Sequence, residues 1–451
     1  MNVNWKKAGE WLLFLTVFGG GSAVAFLKLV EWRGGDGAGD VLLWPSVISS
    51  LVIVGYMLFQ AVLVIFYRPY KGHCELPGCT VIVPAYNEGS AVADTLRSLL
   101  KSDYPKEKLE IIAVNDGSED DTWSWIKLAA RESGGIVKPV SFERNQGKKH
   151  ALYHGFTNAS FDVVVTVDSD SIVEPGTLAE LVRPFARPEV GGVAGTVRVA
   201  NIHEGFVPRA LDVFFVFSCG FLRCAQSVIG AVLCSPGAIS AYRKAALLPH
   251  LDGWLHQTFM GVPSNIGEDR ALTSILLRNN YHVVLQADAK VVTRVPTTYA
   301  QLCRTLIRWT RGDVREGLLM IRHFFTRWPR DLRTAVLQFI LVFQLFGLTL
   351  PIIAMLLLPL SVPGNAAALG VVLVYLAAVN WLWATVPALL YAEKESPVRG
   401  LYAFAVGFFN LIALSWICVY SWITVRNSRW MTRDVRRKDD AGVCVSPRRI
   451  S

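Results

Sequence analysis

Charged side chains and paired cysteines are both scarce in this sequence. Of the 451 residues, 18% are charged and 52% are hydrophobic, and the mean hydropathy is +0.36. The eight cysteines are scattered, and the pair Cys74 and Cys79 has no second pair at the spacing of a zinc site. No internal repeat or low-complexity tract is present. These absences exclude a zinc-ribbon or disulfide scaffold, a repeat protein and an ordinary soluble enzyme.

Long apolar runs flank a central stretch of ordinary polarity. Two runs, 11–27 and 41–67, precede this stretch, and three follow it at 334–360, 366–391 and 401–425. Their lengths suit helices that cross a hydrocarbon core of about 30 Å, which predicts membrane spans on both sides of a soluble domain. A cleaved signal peptide is the alternative for the first run, but consecutive glycines lie at its centre and a small-residue cleavage site is lacking.

Basic residues lie next to these runs on the side of the soluble domain. Arg68 and Lys71 follow the second run, and a group of arginines between 322 and 333 precedes the third. By the positive-inside rule, the protein is predicted to be a multi-pass protein of the plasma (inner) membrane with its soluble domain in the cytoplasm. Attraction to anionic lipid explains the formal charge of +9, so membrane lipid is an expected partner and nucleic acid is not.

The carboxyl-terminal tail conflicts with a simple count of spans. Residues 426–449 carry eight basic and three acidic side chains, which favours a cytoplasmic tail. Three complete spans after a cytoplasmic domain would place that tail outside. Either one of the last three runs is re-entrant or interfacial, or the run 334–360, interrupted by Pro351 and Pro359, is not a single span.

Within the soluble stretch, short β-branched runs alternate with helix-compatible segments, which predicts an α/β sheet. Such sheets bind ligands beyond the carboxyl ends of their strands. The acidic residues at these predicted ends are Glu88, Asp116, Asp168 and Asp170. Asp168 and Asp170 can direct oxygens at one hard cation, and a diphosphate leaving group needs Mg²⁺ or Mn²⁺ to neutralise its charge.

Two further segments contribute candidate chemistry. The carboxylate of Asp269, in Gly-Glu-Asp-Arg at 267–270, suits general-base work on an acceptor hydroxyl, although an acidic pair at a helix amino terminus is the alternative. Four arginines share one helical face beside Trp309: Arg304, Arg308, Arg311 and Arg315. They fit a phosphate clamp with a sugar-stacking aromatic, or a basic helix on the membrane surface, and both descriptions can hold together.

Taken in order, these motifs resemble those of the family 2 processive glycosyltransferases, which include hyaluronan synthases, chitin synthases and rhizobial chitin-oligosaccharide synthases. The matching stretches, over about residues 78–320, are VIVPAYNE at 81–88, VNDGSEDDTW at 114–123, NQGKKHAL at 145–152, VDSDS at 167–171, GGVAGTVRVAN at 191–201, SPGAISAYR at 235–243, GEDRALT at 267–273 and IRWTRGDVRE at 307–316. An ordered set of this size is far more specific than any single motif.

The resemblance implies an α/β GT-A-type glycosyltransferase domain inserted between transmembrane α-helices, with amphipathic interfacial helices. The implied divisions are two transmembrane helices in 1–67, a cytoplasmic GT-A domain in 68–298, interfacial helices with an Arg-Trp motif in 299–333, transmembrane helices in 334–425 and a basic tail in 426–451.

The resemblance also implies roles for matching residues. Asp116 and Lys148 would hold the uridine end of a UDP-sugar donor, with Glu88 also at the substrate, and Asp168 and Asp170 would hold Mg²⁺ or Mn²⁺ with the diphosphate.

Asp269 would then be the catalytic base. Arg308 and Trp309 match the end of the family's Gln-x-x-Arg-Trp motif, where Trp faces the acceptor sugar and Arg the diphosphate. Trp254 and Gln257 lie in WLHQTF at 254–259, which matches a loop that steers substrate.

The sequence departs from the family pattern at two positions. Thr305 stands where the motif has Gln, so the usual contacts of that residue are in doubt while Arg-Trp remains. After the last apolar run, the segment from Arg429 to Arg433 resembles a Trp-Gly-Thr-Arg-like gating motif, but Met431 replaces the Gly.

The expected function is a processive inverting glycosyltransferase that adds UDP-sugars to a growing polysaccharide and secretes the chain through its own membrane channel. An N-acetylglucosamine-containing, hyaluronan-type polymer is the first expectation. The alternatives are a chitin or chitin-oligosaccharide synthase, a non-processive transferase to a lipid carrier and, from another class, a transporter with a degenerate nucleotide-binding domain. The apolar runs lack the charge pairs that transporters place at the membrane midplane.

Overall fold

The computed structural model describes residues 40–72, 75–326, 328–361, 380–381, 384–393 and 397–428. The first apolar run, part of the run 366–391 and the gating-like motif that begins at Arg429 lie outside these residues.

Strands form the centre of the protein. In chain order they are β1 (Cys79–Ala85), β2 (Leu109–Asn115), β3 (Val137–Ser141), β4 (Val163–Val167), β5 (Ser171–Val173), β6 (Val190–Val199), β7 (Ile239–Arg243), β8 (Thr258–Phe259), β9 (Val262–Pro263) and β10 (His282–Thr293). Eight of them form one sheet in the order β3-β2-β1-β4-β7-β6-β10-β5, and β8 pairs with β9 in a small hairpin.

The strand directions place many carboxyl ends on one edge of the large sheet. β1 is parallel to β2 and β4, and β2 is parallel to β3. β7 is antiparallel to both β4 and β6, and β10 is parallel to β6. Therefore β1 to β4, β6 and β10 all end on the same edge. The predicted α/β sheet is confirmed.

The central strands of the sheet are covered on both faces. All seven residues of β1 are buried. Val81 and Val83 belong to the hydrophobic cluster on one face, and Ile82 belongs to the cluster on the other, as the alternation of a strand requires.

Helices cover these faces and extend beyond them. They are α1 (Asp40–Phe66), α2 (Ala91–Leu100), α3 (Thr122–Glu132), α4 (Lys148–Asn158), α5 (Thr177–Val182), α6 (Phe206–Phe217), α7 (Arg223–Val228), α8 (Lys244–Leu247), α9 (Leu251–Leu255), α10 (Glu268–Arg278), α11 (Tyr299–Phe324), α12 (Leu332–Ser361), α13 (Pro397–Gly400), α14 (Tyr402–Phe409) and α15 (Trp416–Ile423). Residues 384–393 are also helical.

An apolar helix that was not predicted from the sequence lies inside the stretch expected to be soluble. A π-helical turn, Ser218–Leu222, joins α6 to α7, and the segment Phe206–Val228 is long and apolar enough to cross a membrane. Charged residues such as Asp212 interrupt its apolar run, so hydropathy alone does not predict this helix as a span. Asp212 is fully buried and pairs with Arg198 on β6 at 3.0 Å, so the sheet neutralises that charge.

Among the described residues, two helical segments have the length and composition of a membrane span, Phe206–Val228 and Leu332–Thr349. The segments Val398–Leu414 and Trp416–Ile423 meet at 44°, and they reach the length and composition of a third span only when counted together. α12 is continuous from Leu332 to Ser361 despite its prolines. The number of spans before the basic tail therefore stays a prediction.

Candidate active site

The acidic residues singled out in the sequence lie at the carboxyl edge of the sheet. Asp116 follows β2, Asp168 and Asp170 follow β4, and Asp269 is the second residue of α10. A narrow cavity at this edge is lined by Asp168, Asp269 and nine neighbours, Pro84, Lys148, Leu152, Thr166, Val167, Gly237, Tyr242, Glu268 and Leu272. The fold therefore assembles groups from distant parts of the chain.

Asp116 is buried, and its carboxylate holds the loop before α4. Its two oxygens accept hydrogen bonds from the backbone N–H groups of Gln146 and Gly147, each at 2.8 Å. Burial raises the pKa of Asp116 to about 6, although these two donors lower it. The arrangement fixes the start of α4 next to the predicted nucleotide end of the site.

Asp168 and Asp170 lie on a turn that neighbouring elements anchor. The hydroxyl of Ser169, between them, donates to Glu88 Oε1 at 2.8 Å, so Glu88 lies beside the pair. Asp170 Oδ1 accepts a hydrogen bond of 3.2 Å from the hydroxyl of Thr293, the last residue of β10. The loop after β1 and the end of β10 thus hold the turn in place.

The donor set of this turn fits a divalent cation of the Mg²⁺ type. In the described part of the chain, no group of three or more His, Cys, Asp or Glu side chains is placed to hold a metal ion. Asp168 and Asp170 would supply two oxygens to such a cation, and a diphosphate and water would supply the others. Mg²⁺ in phosphate-transfer sites is commonly held by one or two carboxylates plus phosphate oxygens.

Lys148, the first residue of α4, forms ion pairs with Asp168 Oδ1 at 2.6 Å and with Glu268 Oε1 at 3.1 Å. Burial lowers the pKa of Lys148, but the charges of Asp168 and Glu268 outweigh burial, and the net pKa is raised. Its ammonium group bonds to carboxylates on the metal side of the site and not to Asp116. The expected contact of Lys148 with the uridine end of a donor stays a prediction.

Asp269 is held at the amino terminus of α10, where it lines the cavity. Its Oδ2 accepts from Gly237 N at 3.1 Å, and its Oδ1 accepts from Arg270 N at 2.8 Å. Burial first, and then the charge of Glu268, raise the pKa of Asp269 to about 6, although Lys148 lowers it. A carboxylate with a raised pKa is a stronger base near neutral pH.

Gly237 was not assigned a role from the sequence, although its SPGAISAYR segment was recognised. A Cβ at this position would lie 3.0 Å from Lys148 Nζ and 3.6 Å from both Asp168 Oδ2 and Asp269 Oδ2. The only signal in the sequence was a small residue just before a strand. Because glycine has no side chain, space remains between the Lys148 ammonium group and the carboxylates of Asp168 and Asp269.

Trp254 and Gln257 lie behind the cavity. Trp254 is 2% exposed and donates from Nε1 to the carbonyl oxygen of Glu268 at 3.3 Å. Gln257 donates to Glu316 Oε1 on α11 at 2.7 Å. The ring of Trp254 supports the backbone of Glu268 from within the protein, and its expected substrate contact stays a prediction.

Two of the four arginines on α11 bind the end of α15. Arg311 and Arg315 are each 1% exposed. Arg311 donates to the hydroxyl of Thr424 at 2.7 Å, and Arg315 donates to the carbonyl oxygen of Val425 at 2.6 Å. A phosphate clamp made of all four arginines is therefore wrong.

Trp309 lies on α11 against α6. Its ring is stacked on Phe214, with centroids 6.1 Å apart and planes 20° apart, and Phe215 lies at 6.0 Å. Thr305, one turn earlier, is 5% exposed and borders an open cleft that Arg304 and the residues following β6 and β10 also line. The residue that departs from the family motif is thus a buried part of the wall of this cleft, at the same edge of the sheet.

Comparison with known proteins agrees with this geometry. A model described as glycosyl transferase family 2 matches residues 80–248. An N-acetylglucosaminyltransferase of Rhizobium meliloti is 30% identical over 404 residues, covering 86% of this chain and 90% of that protein. A hyaluronan synthase of Streptococcus pyogenes serotype M3 is 28% identical over 397 residues, covering 86% of this chain and 90% of the relative.

Among solved structures, a mannosyltransferase from Pyrobaculum calidifontis, in complex with GDP-Man and Mn²⁺, shares the fold. Its TM-score is 0.50 at 21% identity, and the match covers 89% of this chain and 98% of that chain. The likeness supports the GT-A-like mixed sheet.

Proposed function

Because the chain belongs to glycosyl transferase family 2, we propose that it is a processive, inverting enzyme that builds a β-linked polysaccharide from UDP-sugars. One observation carries the proposal: Asp269 shares a buried cavity with Lys148 and Asp168, at the end of a helix that contacts α11, on which Trp309 lies. Two relatives of the chain are named for N-acetylglucosamine transfer and for hyaluronan synthesis. We therefore propose a product that contains N-acetylglucosamine.

In the proposed reaction, Asp269 removes the proton from an acceptor hydroxyl as that oxygen attacks the anomeric carbon. The bond from the anomeric carbon to the diphosphate breaks on the opposite side, and UDP leaves. Lys148 balances negative charge on the leaving diphosphate. Asp168 and Asp170 would hold Mg²⁺ or Mn²⁺, which neutralises the same charge when bound.

The donor's nucleotide end is assigned to the Asp116 side of the edge. The carboxylate of Asp116 lies beyond β2, and Glu88 lies between Asp116 and the turn that carries Asp168 and Asp170. Arg308 is assigned to the diphosphate and Trp309 to the acceptor sugar. Sugar choice depends on a few pocket contacts, so a chitin-type product is the second candidate.

The end of α15 supports one orientation in the membrane. Thr424 and Val425 are bound by α11, and α11 packs on α10 of the catalytic domain. We therefore propose that residues after Val425 emerge on the side of the catalytic domain, in the cytoplasm. The basic tail and the acidic lipids of that face then attract each other.

The decisive experiment is incorporation of radiolabelled sugar by purified protein supplied with single and paired UDP-sugars. Incorporation from one UDP-sugar into a product cut by a chitin-specific hydrolase would select the second candidate. Dependence on a pair, with cleavage by a hyaluronan-specific lyase, would support the first. Absence of UDP release with every donor would overturn the enzyme assignment and favour a nucleotide-sensing transporter.

Gly237→Ala tests the crowded centre of the site. We expect turnover to fall by about 10-fold or more, because the new methyl group displaces Lys148 from Asp168, and misplacement near 1 Å costs up to about 10²-fold. UDP release gives turnover, and thermal melting checks the fold. Gly176→Ala is the control, since a Cβ there meets nothing within 4 Å. Unchanged turnover in Gly237→Ala would contradict the crowding.

Trp309→Ala tests the acceptor platform. A growing polysaccharide presents apolar sugar faces that an aromatic ring supports without fixed hydrogen bonds, so we expect short or no polymer while UDP-sugar binding persists. Product length is measured by gel electrophoresis. Trp328→Ala is the control for mere membrane anchoring, because Trp328 is 91% exposed between α11 and α12. Normal-length polymer from a folded Trp309→Ala protein would rule out stacking.

A further inference from the structure

Arg270, the residue after the proposed base, joins three helices. It lies on α10 and is 4% exposed. Its Nη1 donates to Asp313 Oδ1 on α11 at 2.6 Å, and its Nη2 donates to Gln344 Oε1 on α12 at 2.8 Å. Removing a partner from a buried charge is strongly destabilising, so this pairing constrains the relative positions of the helices.

A close backbone contact lies beside this network. Gly267 precedes α10 in a left-handed conformation, with φ of 74°, and a Cβ there would lie 3.2 Å from Gly312 Cα. Gly312 is the neighbour of Asp313 on α11. The first turn of α10 is therefore fixed on α11 twice, by backbone contact and by the ion pair.

Gln344 places the third attachment within an apolar helix. It lies in Leu332–Thr349, one of the candidate membrane spans. At 1.5 Å per residue, its position is about 18 Å along α12 from the first residue of that helix. A glutamine in such surroundings needs a polar partner, and the Arg270 guanidinium supplies one.

We propose that Arg270 is a positioning residue that holds Asp269 at the entrance to the membrane helices by binding Asp313 and Gln344 together. The inference rests on the proposed function, in which Asp269 is the base. Asp269 and Arg270 are consecutive, so loss of the guanidinium fork lets the first turn of α10 move relative to α11 and Trp309. The acceptor hydroxyl then loses its alignment with the base.

A misaligned acceptor changes which nucleophile reacts. Water then attacks the anomeric carbon, the bond to the diphosphate breaks, and the products are free sugar and UDP, with one proton passing to the base. The role of Arg270 is therefore visible in the ratio of UDP released to sugar incorporated. A purely structural role would lower both quantities together and leave that ratio unchanged.

The test uses the full-length protein in lipid nanodiscs with labelled UDP-sugar. For Arg270→Gln we expect incorporation to fall by about 10²-fold, with UDP release falling less, since misplacement near 1 Å costs that much. The KM for the donor should stay within about twofold of its value in the unmodified protein, because Arg270 does not contact the donor in this proposal. Arg270→Lys keeps the positive charge but loses the planar guanidinium group that binds two partners. Its incorporation of sugar should lie between that of Arg270→Gln and that of the unmodified protein. Gln344→Leu should also raise the ratio of UDP to incorporated sugar.

Matched controls come from the same helices. Arg278, in the last turn of α10, donates to Ser274 O of its own helix, and Thr349 on α12 donates to Leu345 O of its own helix. Arg278→Gln and Thr349→Val should leave the ratio unchanged. A raised ratio in either control would show that any disturbance of these helices has this effect, and would overturn the specific role of Arg270.

A double variant adds an internal check. If Arg270 and Asp313 act through one network, Arg270→Gln combined with Asp313→Asn loses no more incorporation than the worse single variant. Losses that multiply, or an unchanged ratio in folded Arg270→Gln, would overturn the proposal. Full turnover in Asp269→Asn would instead remove the base assignment itself. An inactive Asp269→Asn with an unchanged ratio in Arg270→Gln would remove only the positioning role.

Discussion

Asp269→Asn is expected to lower turnover by roughly 10²- to 10⁴-fold, the range for loss of a general base, while UDP affinity stays nearly unchanged. Asparagine keeps an oxygen that accepts the Gly237 N–H, but its amide does not take a proton from a hydroxyl. Initial rates of UDP release and calorimetric UDP binding measure the two quantities separately. Asp252→Asn is the control, since that side chain is 84% exposed. Parallel loss of UDP affinity would make Asp269 a nucleotide ligand or a structural residue.

The raised pKa of Asp269 gives this prediction a pH signature. A base acts in its ionised form, and with a pKa of about 6 that form disappears as pH falls through 6. The kcat/KM, which reports groups of the free enzyme, should therefore be constant above that range and decline below it. Asp116 also has a pKa raised to about 6, so kcat/KM should be measured in Asp116→Asn as well. An acid limb that persists there belongs to Asp269, and one that vanishes belongs to Asp116.

Asp170→Asn is expected to abolish turnover, and EDTA should do the same to the unmodified protein. Asp168 and Asp170 are the only two carboxylates of the acidic turn, and Lys148 alone does not neutralise a diphosphate. Turnover is measured by UDP release before and after adding Mg²⁺ or Mn²⁺ to the EDTA-treated protein.

The same assay contains its control. Asp288→Asn removes a carboxylate that pairs with Lys71 at the surface, and it should retain turnover and the response to metal. Full activity in EDTA would contradict the metal assignment. Activity lost in EDTA but kept in Asp170→Asn would leave Asp168 as the sufficient ligand.

The sheet and the edge that carries the site were predictable because they depend on local patterns. β-branched runs predict strands, and parallel strands bring their carboxyl ends together. Asp116 and Asp168 each follow such a run directly, and Asp170 lies two residues after Asp168. The location of the acidic residues at one edge is therefore confirmed, while their individual roles stay predictions.

The partners of charged residues were not predictable in the same way. Helical spacing placed Arg311 and Arg315 on one face of α11, but the face that binds Thr424 and Val425 depends on the packing of α15. Lys148 is next to the loop held by Asp116, yet its long side chain reaches Asp168. Sequence spacing constrains the backbone, whereas tertiary packing chooses which group a flexible side chain meets.

The helix Phe206–Val228 shows the same limit for hydropathy. Asp212 interrupts the apolar pattern, and only the fold reveals that Arg198 neutralises it from the sheet. A search for uninterrupted apolar runs therefore treats a charge as solvent-exposed when it is buried and paired.

The attachment of α15 to α11 has a consequence for how the protein is made. Arg311 and Arg315 belong to a helix synthesised well before the segment that ends at Val425, and both side chains are buried in the finished protein. Until the last helix leaves the ribosome, these guanidinium groups have no Thr424 hydroxyl or Val425 carbonyl to bind and must stay hydrated. The packing of α11 in the catalytic half is therefore expected to finish only after α15 has been synthesised. A nascent chain that stalls before α15 would remain incompletely folded and would be a substrate for the cell's quality-control proteases.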